Sequence, residues 1–132
     1  MAIRVLVVDD SAVMRAMILK TMRMTDLPFG TVHQASDGRE GLSILAEHPV
    51  DLLVADINMP VMNGEEMIDR IRKNPDWDSL AIVVISTEGS DTRIERLQAK
   101  GAVFVHKPFS PETIRDTVHR MLDMGDSDDG CR

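Results

Sequence analysis

Asp51-Leu52-Leu53-Val54-Ala55-Asp56, residues 51–56, is an unbroken apolar run held between two acids. Nothing in it alternates polar with apolar, so the strand it predicts is buried on both faces, as in the middle of a parallel sheet. A sheet covered on both sides needs helices on both sides. The flanking sequence supplies them: short β-branched runs alternate with stretches of helical period along the whole chain.

Ile3-Arg4-Val5-Leu6-Val7-Val8 predicts a first strand, and Ser11 to about Met24 a helix carrying Val13, Met14, Met17, Ile18 and Met22. Leu27-Pro28-Phe29-Gly30 turns the chain into a weaker strand over Thr31–Ala35. Asp37, three residues before Glu40, has the form of a capping box for a second helix ending near Glu47. After the central strand, Asn63-Gly64-Glu65-Glu66 opens a third helix with Met67, Ile68 and Ile71 inward, stopped by Asn74-Pro75. Leu80–Ile85 is a fourth buried strand. Ser90 to Lys100 is a fourth helix, poor in apolar residues beyond Ile94 and Leu97 and ended by Gly101. Val103-Phe104-Val105-His106 is the fifth strand, and Ser110-Pro111-Glu112 opens a last helix with a stripe of Ile114, Val118, Met121 and Leu122.

The 132 residues and 14.7 kDa fit one domain, which needs no disulfide to hold a core. The single cysteine, Cys131, has no partner in the chain, which points to a reducing compartment. A net charge of -7 without a basic run argues against nucleic acid and anionic membrane. The apolar start breaks at Asp9-Asp10, too early for a signal peptide or a membrane span, so a soluble, cytoplasmic protein is expected. At 3% aromatic content a stacking site is poorly supplied. Most of the 10 methionines fall on helical stripes and read as core filler, and His33, His48, His106 and His119 lack metal-ligand spacing. Trp77 lies in a loop remote in sequence from Asp56.

Open parallel sheets place their sites outside the carboxyl ends of the strands. Asp9 and Asp10 follow the first strand, Asp56 the third, Ser86 the fourth and Lys107 the fifth. Each alone has a plainer reading as a helix cap, a turn residue or a solvated strand end. Together they do not: adjacent strands lie about 4.8 Å apart, and carboxylates at that spacing repel by several kcal/mol. Few ligands, all oxygen, suggest Mg²⁺ with its own waters. A hard cation beside a lysine is a site for phosphoryl oxygens, with Asp56 as the central candidate nucleophile and Ser86 as a hydroxyl donor.

Val7-Val8-Asp9-Asp10-Ser11, Asp56-Ile57-Asn58-Met59-Pro60 with Asn63-Gly64, Ser86-Thr87-Glu88-Gly89 and Lys107-Pro108-Phe109 together resemble the receiver domain of bacterial response regulators. The resemblance spans about residues 3–124. It implies an α/β fold of flavodoxin-like type, a single doubly wound five-stranded parallel sheet of order 2-1-3-4-5 with five helices. Residues 1–124 would be the domain and 125–132 an acidic, disordered tail.

The resemblance further implies that Asp56 takes a phosphoryl group from the phosphohistidine of a sensor kinase or phosphotransfer protein. Asp9, Asp10, Asp56 and the backbone carbonyl of Asn58 would hold Mg²⁺, and Lys107 would pair with the phosphoryl group. Ser86 and Phe104 would be the switch pair, and Asn58 and Glu88 match residue types that support rapid self-dephosphorylation. Without an output domain the chain looks most like the stand-alone, chemotaxis-type regulators, acting as a monomer and not as an enzyme on outside substrates. Its downstream partner would dock on the face made by the fourth helix, fifth strand and fifth helix, with Arg93, Arg96, Lys100 and Phe104 as contacts. Between Gly101-Ala102 and Phe104 the chain is one residue shorter than the family's usual spacing.

The sequence also admits a phosphorelay intermediate or phosphate sink, or a binding module independent of phosphorylation. An aspartyl-phosphate hydrolase would carry an Asp-x-Asp motif after the first strand and a cap domain. A flavin carrier would replace Asp9-Asp10-Ser11-Ala12 with a hydroxyl- and glycine-rich loop.

Overall fold

The β1 strand, Ile3–Val8, lies near the centre of a five-stranded sheet because its side chains have apolar cover on both faces. The protein is described by a computed structural model over residues 2–56, 64–86, 91–106 and 110–122. In chain order the elements are β1, α1 (Ala12–Arg23), β2 (Phe29–Ala35), α2 (Gly38–Glu47), β3 (Leu52–Ala55), α3 (Gly64–Arg72), a 3-10 turn at Pro75–Trp77, β4 (Ala81–Ser86), α4 (Asp91–Ala99), β5 (Ala102–His106) and α5 (Pro111–Leu122). The strands are all parallel in the order β2-β1-β3-β4-β5. The expected fold class and strand order therefore hold. The expected tail at 125–132 lies outside the described residues.

Strand alternation divides the core into two layers. Leu6, Val8, Leu53, Ala55, Ile82 and Val84 face α2, α3 and α4, meeting Leu45, Met67, Ile68, Ile71 and Leu97. Val5, Val7, Leu52, Val54, Val83 and Ile85 face α1 and α5, meeting Ile18, Leu19, Met22, Ile114 and Val118. Gly41 lets α2 approach β1, since a Cβ there would stand 3.1 Å from Val8 Cγ2 and 3.2 Å from the Met67 sulfur.

The helix ends follow their cap chemistry. Ser11 accepts from Met14 N at 3.2 Å, Asp37 from Glu40 N at 2.8 Å and Ser110 from Thr113 N at 3.2 Å. Glu40 reaches back to Ser36 N at 2.6 Å, one residue before the cap, in a displaced version of the expected box. Gly101, with φ +85°, ends α4 in the left-handed region and delivers the chain at once into β5.

Differences from the sequence reading are local. β2 starts at Phe29 rather than Thr31, because Phe29 pairs with Ile3 before the register shifts. β3 starts at Leu52, since the Asp51 carboxylate grips Arg4 at 2.9 and 3.0 Å. β4 covers Ala81–Ser86 instead of Leu80–Ile85. On α1 the stripe containing Ile18 and Met22 is buried, whereas Val13 (71%) and Met17 (54%) are exposed, as is Met24 (65%) just beyond the helix. Residues 13 and 17 lie on a different line of the helix from 18 and 22, so one apolar set packs and the other faces solvent.

Candidate functional site

The chain leaves β1 toward β2 on one side and returns to β3 on the other, so the crevice between β1 and β3 is the switch point of the sheet. Val8 and Ala55 are partners at the ends of these strands. The next residues are both acids, and the ladder fixes them: Asp56 N donates to Val8 O at 3.0 Å, and Asp9 N to Ala35 O at 3.1 Å. Asp9 is buried at 2% exposure, Asp56 is partly buried and Asp10 is exposed.

The three carboxylates converge. One ligand oxygen from each of Asp9, Asp10 and Asp56 lies within 4.8 Å of the others. At an effective dielectric near 20, each pair of charges at that spacing repels by about 3 kcal/mol. The plainer reading of Asp9-Asp10-Ser11 as a helix cap accounts for Ser11 and for Asp9 Oδ1, and not for the convergence of Asp9, Asp10 and Asp56. Asp9 Oδ1 braces the Ser11 N–H at 2.9 Å, and Ser11 in turn caps α1. Octahedral Mg²⁺ holds oxygens at about 2.1 Å, hence about 3–4.2 Å from one another. An all-carboxylate set already within 4.8 Å fits such an ion with small side-chain rotations.

The remaining site candidates are distributed unevenly. Ser86 ends β4 opposite His106 on β5, with its side chain outside the described set. Asn58, Glu88 and Lys107 fall outside the described residues. Phe104 pairs in register with Val84, packs half-buried against the α2–α3–α4 layer and meets His106 edge-on with ring centroids 4.7 Å apart. Gly101 leads straight from the end of α4 into β5.

Two of the cations expected to contact a partner are engaged within the chain. Arg96 makes a two-pronged pair with Glu65 at 2.8 and 3.1 Å, and Lys100 bonds Glu65 at 3.2 Å and Asp69 at 2.8 Å. The Arg96 guanidinium, helped by Lys100, holds the Glu65 carboxyl down to about 2 against the opposing effect of burial.

Several arrangements were not visible in the sequence. Arg15 on α1 donates from Nη1 to Asp9 O at 2.6 Å and from Nε to Gln34 Oε1 at 3.0 Å. Arg72 donates to the carbonyls of Lys100, Trp77, Asp78 and Leu80, gathering the ends of α3 and α4 and the start of β4. His33 and His48 stack with centroids 4.4 Å apart. The signal available for Arg15 was its position, a cation in the opening turns of a helix with no acid in its first turn.

Comparison with known proteins gives a consistent result. Residues 5–119 match the response regulator receiver domain family. The chain is 32% identical over 121 residues to a probable chemotaxis protein CheY of Rhizobium etli, covering 91% of this chain and 92% of that protein. It is 33% identical to a chemotaxis protein CheY homolog of Campylobacter jejuni, covering 92% and 94%. Among solved structures, the chemotaxis response regulator CheY4 of Vibrio cholerae aligns with a TM-score of 0.80 at 35% identity, over 92% of this chain and 100% of that one. No helix among the described residues is long and apolar enough to cross a membrane.

Proposed function

The chain belongs to the response regulator receiver family and is a two-component response regulator, and on that premise we propose that Asp56 is its phosphoacceptor. The observation that carries this reading is the convergence of Asp9, Asp10 and Asp56 within 4.8 Å at the switch point of the sheet. Of the three, Asp56 alone directly follows β3, the middle strand of the sheet; its backbone is held by the bond to Val8 O, and its side chain is partly buried, between the buried Asp9 and the exposed Asp10.

A carboxylate oxygen of Asp56 forms the new bond to phosphorus as the P–N bond of a phosphohistidine breaks. The departing imidazole nitrogen keeps the electron pair and takes a proton, leaving an aspartyl phosphate. Asp9, Asp10, Asp56 and the carbonyl of Asn58 would hold Mg²⁺, which when bound neutralises charge on the phosphoryl oxygens. Lys107 adds a further positive charge, and Ser86 supplies a hydroxyl donor. Water then attacks phosphorus and releases inorganic phosphate, with Asn58 and Glu88 setting the pace. The chain therefore acts on its own phosphoryl group rather than on outside substrates, and it does so in the cytoplasm.

Val13 and Met17, exposed on α1 in the turns that follow Asp9-Asp10, would offer a phosphoryl donor apolar contact. Phosphorylation adds about -1.5 to -2 charge at the sheet edge. Ser86 and Phe104 pass that change to the α4–β5–α5 face, where a downstream chemotaxis-type partner binds. Phe104 suits this role because it is half-buried and packed through one edge.

The test is intact mass after incubation with acetyl phosphate, with and without Mg²⁺, for the wild type and Asp56→Asn. The expected result is one Mg²⁺-dependent phosphoryl adduct, absent from Asp56→Asn. An adduct that persists in the variant would place the acceptor elsewhere.

A further inference from the structure

Arg15 is badly placed for the helix that carries it. Four residues beyond the Ser11 cap, it sets a cation near a helix N-terminus that has no acid in its first turn. The helix dipole disfavours such a charge by about 0.3–1 kcal/mol. The guanidinium is instead spent on the polypeptide next to the acidic trio. Nη1 donates to Asp9 O at 2.6 Å, and Nε donates to Gln34 Oε1 at 3.0 Å.

The Asp9 carbonyl belongs to the peptide unit that joins Asp9 to Asp10. Whatever fixes that plane fixes the direction in which two of the three carboxylates leave the backbone. Gln34 stands on β2 in register with Val7 of β1, so the guanidinium is braced against the sheet as well as against α1. Asp9 is further held by its N–H bond to Ala35 O and by the bond from Ser11 N to its Oδ1. Arg15 supplies the restraint between Asp9 and Asp10.

We propose that Arg15, braced by Gln34, is a positioning residue for the divalent cation, orienting the Asp9–Asp10 peptide so that both carboxylates face Asp56. The inference rests on the reading of these three acids as the Mg²⁺ site. Mg²⁺ tolerates little departure from octahedral geometry, so ligands set in advance bind it at lower cost. Groups that orient metal ligands without touching the metal change affinity by about 10–100-fold when removed. A purely electrostatic role gives the opposite sign, because deleting a cation beside a cation site tightens binding.

Isothermal titration with MgCl₂ on the full chain, in the absence of any phosphoryl donor, separates these possibilities. Wild type, Arg15→Met, Arg15→Lys, Gln34→Leu and the Arg15→Met/Gln34→Leu double variant are compared, with thermal midpoints in EDTA measured alongside. Arg15→Met is expected to weaken Mg²⁺ binding about 10–100-fold. Gln34→Leu weakens it less, Arg15→Lys restores part of the loss, and the double variant binds no more weakly than Arg15→Met. Unchanged or tighter binding by Arg15→Met overturns the proposal, even if its metal-free midpoint falls. If Arg15→Met does not fold, Gln34→Leu and Arg15→Lys carry the same test, and wild-type affinity in both overturns it. Failure of the underlying site reads differently: a wild type that binds no Mg²⁺, or binds it equally well after Asp10→Asn, removes the site and this inference together.

Discussion

Glu65 on α3 and Arg96 on α4 are joined by two parallel hydrogen bonds, Nε to Oε2 at 2.8 Å and Nη2 to Oε1 at 3.1 Å. Lys100, just past α4, donates to the same carboxylate at 3.2 Å and to Asp69 at 2.8 Å. Leu97 is the fully buried apolar anchor of α4 and Ile94 is half-buried, so this polar clasp supplies much of what seats the helix. Glu65 is also the second residue of α3, directly after the segment leading away from Asp56.

Glu65→Gln should therefore loosen α4 without disturbing the sheet. Loss of the charged, two-pronged acceptor costs about 1 kcal/mol, kept small by the solvent around Arg96. Amide hydrogen exchange over residues 91–101 is expected to rise about fivefold, in keeping with that figure, while β1, β3 and β4 keep their protection. Unchanged exchange in α4 would show that the clasp does not restrain it.

Acid titration gives a second readout of the same group. The Glu65 carboxyl, held down to about 2 from an ordinary 4.5, favours the folded state wherever it is ionised. Its contribution is complete above about pH 4.5 and is lost as the pH falls toward 2. Asp51 is likewise lowered by Arg4, but that pair is common to both proteins. Urea denaturation should therefore show the stability difference between wild type and Glu65→Gln shrinking from pH 5 to pH 2, with no change between pH 5 and pH 7.

What was legible in the sequence and what was not divides along physical lines. Asp9, Asp10 and Asp56 were legible because each breaks an apolar strand at its end, where the sheet rules specify a location. The order of the strands followed from the resemblance, whereas their buried character followed from runs such as Leu52–Ala55. Arg96 and Lys100 looked like solvated charges suited to a partner, because their acids lie about thirty residues away on another helix. Arg72 gave no sign of itself, since its acceptors are backbone carbonyls that no side-chain pattern records. The exposure of Val13 and Met17 was not legible, because α1 carries two apolar lines and only the packing shows which one the sheet buries.

Arg72→Met tests the far end of the molecule. The guanidinium serves the carbonyls of Lys100 at 2.8 Å, Leu80 at 3.1 Å and Trp77 at 3.2 Å, which lie where α4 ends, β4 begins and the 3-10 turn closes. Hydrogen bonds from a charged donor are worth more than neutral ones, and partly buried carbonyls left without a donor add their own cost. A loss of about 2–3 kcal/mol in urea denaturation is expected, with Mg²⁺ affinity unchanged because the acidic trio lies at the opposite edge of the sheet. Coupled loss of both would contradict that separation.

Gly101→Ala then asks whether α4 and Arg72 act as one joint. Gly101 sits at φ +85°, where an L side chain is strained by about 1–2 kcal/mol. A Cβ there would also stand 3.3 Å from Arg72 Nη2, close enough to push on the guanidinium. The substitution should cost more in wild type than in an Arg72→Met background, where the strain persists but the guanidinium bonds have already gone. Gly101→Asn should cost less backbone strain than Gly101→Ala, because Asn enters the left-handed region more readily. A double-mutant cycle in urea is expected to show a coupling energy of about 0.5–1 kcal/mol between positions 72 and 101. Strict additivity would mean that the backbone turn and the guanidinium hold the end of α4 independently. The cost of Gly101→Ala would then be the left-handed strain alone, equal in both backgrounds.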